Sequence, residues 1–212
     1  TTLEESGSAA PEAGWAAHHM IAEAEGRVVG ILPLYLKSDS QGEYVFDHGW
    51  AQAYERAGGS YYPKLVSAAP FTPVPGRRLL IAPGAPAGTA EALARAARDL
   101  ATNNGLSSLH VNFCGEDEQK LLEGEGFLPR LDIQYHWRDE GYGDYAGFLA
   151  ALASRKRKSL RKERAAAQEG LEILRFSGAD LRPEHWDAMW RFYQDTGARK
   201  WGRPYFTRDA FA

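Results

Sequence analysis

An alternation of strand and helix patterns over residues 77–138 constrains the fold of this chain more than any other feature of its sequence. The strand-like runs lie at 77–82, 106–113 and 133–138, and the helix-like runs between them lie at 88–104 and 116–124. An order of this kind favours a sheet with right-handed crossover helices. We therefore expect an α/β (α+β) fold in which a mixed sheet contains all three strands and is flanked by helices.

The segment 88–104 has the clearest helical periodicity. Leu93, Ala97 and Leu100 recur at the spacing of one helix face. Thr89 stands where an N-cap side chain is expected. We expect this helix to pack across the sheet through its three apolar residues.

Two apolar runs near the amino terminus, 18–24 and 28–37, flank the turn sequence Glu25-Gly26-Arg27. This arrangement predicts a β-hairpin, which makes the first part of the sheet antiparallel. A third short strand is predicted at 44–50 and a helical piece at 52–57.

A strongly basic stretch, Ser154-Arg-Lys-Arg-Lys-Ser-Leu-Arg-Lys-Glu-Arg164, lies in a chain whose formal net charge is −3. It predicts a helix that Ser154 caps, that runs to about residue 169 and that Gly170 ends, followed by a strand at 171–176. The cations crowd the first turns of this helix, where the helix dipole already disfavours positive charge. We therefore predict that an anionic ligand binds here, while a simple solvated face remains the alternative. The residues assigned to this site are Arg155, Lys156, Arg157, Lys158 and Arg161.

The glycines at 141 and 143 indicate a domain boundary, after which the strand and helix patterns start again. The sequence predicts a first domain over 1–143 and a second domain over 144–212 that is incomplete at its carboxyl end. A helix at 184–195 belongs to the second domain. Its aromatic residues, together with one beyond it, are expected in the core of that domain: Trp186, Trp190, Tyr193 and Trp201.

Composition narrows the class of protein. The modest negative charge argues against a general nucleic-acid binder, and no apolar run reaches the length of a membrane span. Cys114 is the single cysteine, which excludes an internal disulfide framework and fits a reducing compartment. We expect a cytoplasmic protein without an integral membrane segment, and a homodimer is one option for its assembly.

The strand and helix order, ending in Leu122-Glu-Gly-Glu-Gly-Phe127, resembles the acetyltransferase fold called GNAT. The basic stretch and the Gly170-Leu-Glu-Ile173 that follows are similar to the opening of the second GNAT-like domain in Fem-type peptidyltransferases. Further segments resemble a bacterial FemAB-like branch that is described as a peptidoglycan biosynthesis/recognition family. They are Leu3-Glu-Glu-Ser-Gly-Ser8, Pro33-Leu-Tyr-Leu-Lys-Ser38, Tyr61-Tyr-Pro-Lys-Leu65, Pro70-Phe-Thr-Pro73 and Gln134-Tyr-His-Trp137.

The resemblance implies two tandem GNAT-like domains and an acyl- or aminoacyl-transferase acting on a peptidoglycan precursor or another amine. The acyl donor it implies is acyl-CoA or aminoacyl-tRNA, with tRNA then a partner. A non-catalytic module that recognises an anionic cell-wall intermediate or peptide is the alternative. The turn at 82–89 stands where GNAT enzymes hold the pyrophosphate of CoA. Pro83 and Pro86 each remove a backbone donor from it, so a connecting turn is expected there.

Candidate site residues are few, and the sequence assigns no catalytic group. Tyr61, Tyr62 and Lys64 precede a proline-rich loop, and we predict that they line a substrate groove. Asp47-His48 indicates either a proton-transfer pair or an ordinary turn. The spacing of His18, His19, His48, His110 and His136 does not fit a metal site, so none is expected.

Overall fold

The structure is a computed structural model that describes residues 2–200 and 203–211. Its strands are β1 (Trp15–Ala17), β2 (Met20–Ala24), β3 (Arg27–Leu32), β4 (Tyr35–Lys37), β5 (Lys64–Ser67), β6 (Leu80–Ile81) and β7 (Leu109–Val111). Its α-helices are α1 (Thr2–Glu5), α2 (His48–Arg56), α3 (Thr89–Asn103), α4 (Glu116–Gly124), α5 (Tyr145–Ala151), α6 (Ser154–Gln168) and α7 (Pro183–Arg199). The expected α/β class is confirmed.

The described residues form two compact units. The first unit holds the residues up to Asp132 together with those from Trp186 onward, and the second holds Ile133–His185. All seven strands therefore belong to the first unit. The predicted pair of GNAT-like domains, 1–143 and 144–212, stays a prediction.

The strands form two hydrogen-bonded sheets, so the prediction of one sheet is wrong. Sheet A has the order β1-β4-β5-β7, with β5 and β7 parallel and its other pairs antiparallel. Sheet B has the order β2-β3-β6 and is antiparallel throughout. The predicted strand 28–37 divides at Pro33. Proline cannot donate to a ladder, so the chain can leave one sheet there and enter the other.

The helix α3 packs over the apolar core, as predicted. Leu93 and Ala97 are buried, and Leu100 packs against the same core from a half-buried position. Gly30 of β3 admits this close approach, because a Cβ there would lie only 3.0 Å from the Leu93 side chain. The predicted N-cap is wrong: Gly88 occupies that position, and the Thr89 hydroxyl instead donates a hydrogen bond to the Pro86 carbonyl.

Three predicted strands are absent from the described residues. The segments 133–138 and 171–176 form no β-ladder, and 44–50 divides into a loop and the start of α2. Tyr44 and Phe46 have φ values of 61° and 49°, which no strand accommodates. In the first two segments the alternation of apolar residues is present, but a strand also needs a neighbouring strand to bond.

The helices of the second unit begin and end close to their predicted limits. The Asp144 side chain caps α5 by accepting a hydrogen bond from the Gly147 amide. Ala153, not the predicted Ser154, occupies the N-cap position of α6. Gly170 has a φ of 71° just beyond this helix, which agrees with its predicted role as the left-handed stop.

Two aromatic residues of α7, Trp190 and Tyr193, contact residues from 203 onward, within the first unit. The Tyr193 hydroxyl accepts hydrogen bonds from the amides of Tyr205 and Phe206, and Trp190 contacts Phe211 edge-on. Phe206 in turn contacts Phe71. Trp201 lies outside the described residues. No helix in the described part of the chain is long and apolar enough to cross a membrane.

Candidate active site: a buried ion cluster beside His110

The two faces of sheet A differ in chemistry. Leu36, Leu65 and Leu109 are neighbours on one face, and all three belong to the apolar core beneath α3. On the other face the register aligns Trp15 with Lys37 and Lys37 with Lys64. Successive side chains of a strand point to opposite faces, so this polar row follows from the alternation in β4 and β5.

Two lysines lie directly opposite each other on adjacent strands, and both side chains are fully buried. Like charges in this position repel each other, so the arrangement requires compensating groups. The Lys37 ammonium lies 3.9 Å from the Trp15 ring centre, donates to the Gln41 carbonyl at 3.2 Å and lies 3.6 Å from Asp39. Burial lowers the pKa of Lys37 to about 8.

Three side chains bind the Lys64 ammonium. It donates hydrogen bonds to Ser40 at 3.0 Å, to Glu43 at 3.0 Å and to Asp47 at 2.5 Å. Both carboxylates are fully buried, as is the lysine. We call Ser40, Glu43, Asp47, Tyr61 and Lys64 the ion cluster.

A strained loop brings the two carboxylates into this cluster. Tyr44 and Phe46 both have left-handed backbone conformations, which cost on the order of 1–3 kcal/mol each in residues with side chains. The loop directs Glu43 and Asp47 inward and leaves Phe46 72% exposed. The surrounding contacts must stabilise this loop, because its backbone conformation is unfavourable by itself.

The environment moves the pKa values of the two carboxyl groups in opposite directions. Burial raises the pKa of Glu43, and the charge of Lys64 offsets this only in part. Burial also acts to raise the pKa of Asp47, but hydrogen bonds from Lys64, Ser40 and Tyr61 outweigh it and hold the pKa well below its ordinary value. Asp47 therefore stays ionised. One oxygen of each carboxylate, Glu43 Oε1 and Asp47 Oδ1, has no hydrogen-bond partner among the described residues.

Tyr61 belongs to the ion cluster, and Tyr62 borders it. The Tyr61 hydroxyl donates a hydrogen bond to Asp47 Oδ2 at 2.7 Å, and the Tyr62 hydroxyl lies 2.7 Å from the Ser40 hydroxyl. The Ser107 hydroxyl holds the Tyr61 carbonyl. Burial raises the pKa of both phenols, so each remains a neutral hydrogen-bond donor near neutral pH.

His110 connects the cluster to the protein surface. Its Nδ1 lies 4.0 Å from Asp47 Oδ2, and its side chain is 21% exposed. The ring also contacts Tyr61 edge-on, with 6.4 Å between ring centres. Burial, with a further contribution from the Lys64 charge, lowers the pKa of His110 to about 4. At neutral pH its imidazole is therefore uncharged, with one ring nitrogen unprotonated.

One oxygen of Glu43, one oxygen of Asp47 and one nitrogen of His110 lie within 4.8 Å of one another. Carboxylates and imidazole are common metal ligands. The Lys64 ammonium, however, lies 3.0 Å from Glu43 and 2.5 Å from Asp47 and already compensates their charge. We therefore interpret the group as an ion cluster and assign no metal to it.

Three residues were predicted to line a groove: Tyr61, Tyr62 and Lys64. The structure brings them together, but their exposure to solvent differs. Tyr62 is half-buried, whereas Tyr61 and Lys64 lie inside the protein. Their role as direct substrate contacts stays a prediction. Of the predicted pair Asp47-His48, only Asp47 belongs to the cluster, because His48 is exposed at the start of α2.

Sequence reasoning missed His110 as the imidazole beside Asp47. A signal was present, because His110 stands between Leu109 and Val111, which pack toward the apolar core. In a strand the intervening side chain points to the opposite face. The sequence alone does not reveal that Asp47 lies on that face.

The basic residues of α6 lie in the second unit. Arg155, Lys156, Lys158 and Arg161 are exposed, and Arg157 is half-buried and donates a hydrogen bond to the Ala150 carbonyl at 3.3 Å. Among the described residues, none of these five cations pairs with a carboxylate. Their charges therefore lack compensation within that part of the chain, and the predicted anion site there stays a prediction.

The turn before α3 has few free backbone donors. The amides of Ala82, Ala85 and Thr89 already donate to backbone carbonyls, and Pro83 and Pro86 have no amide hydrogen. These bonds stabilise the turn as a connection between β6 and α3. They leave less of the backbone to bind a phosphate than a glycine-rich loop would.

The sequence was compared with known protein families. All 212 residues match the profile of the FemAB_like family, described as peptidoglycan biosynthesis/recognition. The chain belongs to this family. The membership confirms the family predicted from the sequence.

The chain resembles the aminoglycoside N-acetyltransferase AAC(6')-Iy in complex with CoA, with 18% identity, a TM-score of 0.38 and coverage of 58% of this chain and 76% of the other. It also resembles AAC(6')-Iy in complex with the bisubstrate analogue CoA-S-monomethyl-acetylneamine, with 18% identity, a TM-score of 0.39 and coverage of 58% and 70%. No curated protein matches the chain significantly.

Proposed function

We propose that the protein transfers an acyl or aminoacyl group to an amine of a peptidoglycan precursor. Membership of the FemAB_like family supports the reaction class and the precursor. The single structural observation that carries the proposal is the uncharged, partly exposed His110 beside the ionised Asp47. The reaction would take place in the cytoplasm, where the lone Cys114 stays reduced.

Acyl transfer to an amine needs a group that accepts a proton. The amine nitrogen bonds to the donor's carbonyl carbon, the bond from that carbon to the leaving thiolate or alkoxide breaks, and the amine loses a proton. In the proposed mechanism Nε2 of His110 accepts this proton and passes it to the leaving group. Asp47, 4.0 Å from Nδ1, stabilises the imidazolium formed in between.

The ion cluster supports His110 in two ways. Lys64 and Tyr61 hold Asp47 in one position through hydrogen bonds of 2.5 and 2.7 Å. The Lys64 charge also disfavours a resting imidazolium, so His110 has a free ring nitrogen before the reaction begins, while its lowered pKa makes it a weaker base. Lys64 is thus a positioning residue, and His110 is the proposed catalytic base.

The basic residues of α6 supply the proposed contact with an anionic substrate. Guanidinium and ammonium groups without carboxylate partners bind phosphate or carboxylate groups well. A peptidoglycan precursor carries such groups, and so does an aminoacyl-tRNA donor. The net-negative chain concentrates its positive charge on this helix.

We expect replacement of Arg155, Lys156, Arg157 and Lys158 by alanine to weaken the binding of an anionic precursor. The dependence of its Kd on salt concentration should also become flatter, because fewer charge contacts remain to be screened. Titration calorimetry at two salt concentrations measures both effects. An unchanged Kd would show that the basic face of α6 is a solvated surface and not an anion-binding site.

A transfer assay tests the proposed function directly. The protein is incubated with a soluble muropeptide and either an acyl-CoA or an aminoacyl-tRNA, and mass spectrometry detects the acylated product. Product from either donor supports the proposal and identifies the donor. Binding of the muropeptide without product from either acyl donor would contradict the proposal and favour the alternative of a recognition module. The small number of free backbone amides in the 82–89 turn is also consistent with that alternative.

A further inference from the structure

Three exposed aromatic residues lie next to the ion cluster in the chain. Phe46, Trp50 and Tyr54 are 72%, 68% and 44% exposed, and they are spaced four residues apart. Trp50 and Tyr54 share one face of α2, because residues four apart on a helix are neighbours. We call these three residues the aromatic ledge.

The ledge is held in place rather than loosely attached. Gly59 lies against the Tyr54 ring so closely that a Cβ there would be 2.3 Å from a ring carbon. The left-handed backbone of Phe46 keeps its ring outside while the next residue, Asp47, is fully buried. A strained residue that keeps an apolar ring in water indicates a function for that ring.

Ring contacts connect the ledge to His110. Tyr54 contacts the Tyr61 ring, with 6.1 Å between centres, and Tyr61 contacts the His110 ring at 6.4 Å. Tyr61 alone therefore separates the end of the ledge from the proposed base. The ledge and the proposed base are therefore close neighbours in the fold.

We propose that the aromatic ledge binds the sugar rings of the peptidoglycan precursor, as the acceptor subsite of the proposed transferase. This inference rests on the proposed function for its position in the reaction. The family, described as peptidoglycan biosynthesis/recognition, supplies a substrate class that contains amino sugars. The ledge lies near the candidate active site, because only the buried Tyr61 ring separates Tyr54 from His110.

The chemistry of α2 favours a sugar over a purely apolar group. The negative face of an aromatic ring attracts the slightly positive C–H groups on the face of a pyranose. An acyl chain would require an enclosed apolar groove, whereas a sugar ring is amphipathic and suits an open ledge.

The test compares ligands with and without the sugar. Titration calorimetry measures the Kd of a soluble disaccharide–pentapeptide and of the free pentapeptide for the wild type, Trp50→Ala and Phe192→Ala. Phe192 is the matched control, because it is also 68% exposed and lies outside the ledge. We expect Trp50→Ala to weaken disaccharide–pentapeptide binding by about ten-fold or more, as for aromatic hot spots, and Phe192→Ala to leave it unchanged.

A second variant addresses the ledge without removing an aromatic ring. Gly59→Ala should displace Tyr54 and weaken the same binding, since the new methyl group and the ring cannot both fit. Unchanged binding in Trp50→Ala would overturn the inference. It would also be overturned if Trp50→Ala weakened the free pentapeptide equally, because the ledge would then bind peptide.

The transfer assay separates this inference from the proposed function. If Trp50→Ala raises the KM for the muropeptide while kcat stays within a few-fold, both stand. If transfer requires His110 but Trp50→Ala binds muropeptide normally, the proposed sugar subsite is wrong and the proposed transferase activity stands. If the wild type transfers nothing but Trp50→Ala still loses sugar binding, the transferase is wrong and the sugar-binding ledge remains.

Discussion

Replacing Lys64 with methionine is expected to lower the free energy of unfolding by about 3–5 kcal/mol, the cost of removing one partner from a buried ion pair. Glu43 and Asp47 would remain fully buried without the ammonium that now lies 3.0 and 2.5 Å away. Methionine keeps the volume of the side chain nearly constant, so loss of packing contributes little. Urea unfolding followed by tryptophan fluorescence measures the change.

Two controls distinguish the charge effect from a general effect of substitution. Lys120→Met changes an exposed lysine of α4, and its effect should stay within about 0.5 kcal/mol. Combining Lys64→Met with Glu43→Gln and Asp47→Asn removes opposite charges together and should recover a large part of the loss. A Lys64→Met variant as stable as the wild type would show that the cluster does not compensate its charges as described.

Local patterns were sufficient to locate α3, α4 and α6, but not α1 or the start of α2. The helix at 116–124 has the predicted limits, and α3 and α6 begin and end within a residue or two of theirs. Helical hydrogen bonds join residues four apart, so the information that specifies a helix lies within the segment itself. The packing of α3 through Leu93 and Ala97 followed from the same periodicity.

The strands were predicted less well, because a ladder depends on residues that are distant in the chain. The alternation at 133–138 was identified correctly as a pattern, but no strand pairs with it among the described residues. Pro33 divides one apolar run between two sheets. The sequence shows that proline lacks an amide hydrogen, but not that the chain changes sheets there. Its effect on the topology becomes visible only when the partners of β3 and β4 are known.

The candidate site was only partly predictable for the same reason. Tyr61, Tyr62 and Lys64 were selected because aromatic residues and a cation stand close together in the sequence. Asp47 reaches Lys64 from 17 residues away, and Glu43 from 21. His110 completes the site from a third region of the chain, through the parallel pairing of β5 and β7. Single-sequence reasoning has no means to bring these regions together.

Replacing His110 with glutamine is expected to lower kcat for acyl transfer by about 10²–10⁴-fold, the usual contribution of a general base. Glutamine keeps a polar side chain of similar size but accepts no proton at neutral pH. The KM for the muropeptide should change little, because the proposed sugar and anion contacts lie elsewhere. Initial rates at several muropeptide concentrations separate the two parameters, and an unchanged kcat would exclude His110 as the base.

The pH dependence provides an independent check on His110. Its pKa of about 4 leaves the imidazole neutral above pH ~5, so protonation of this group should reduce kcat/KM only near and below pH 4. An unperturbed histidine would reduce kcat/KM already near pH 6.5.

The free energy of unfolding should depend on pH in the same direction as kcat/KM. The folded protein binds this proton less readily than the unfolded chain, so the free energy of unfolding falls as pH falls from about 6.5 to 4. His110→Gln should lose this part of the acid destabilisation, which urea unfolding at pH 7, 5.5 and 4.5 would measure; an identical pH dependence in both proteins would contradict the lowered pKa.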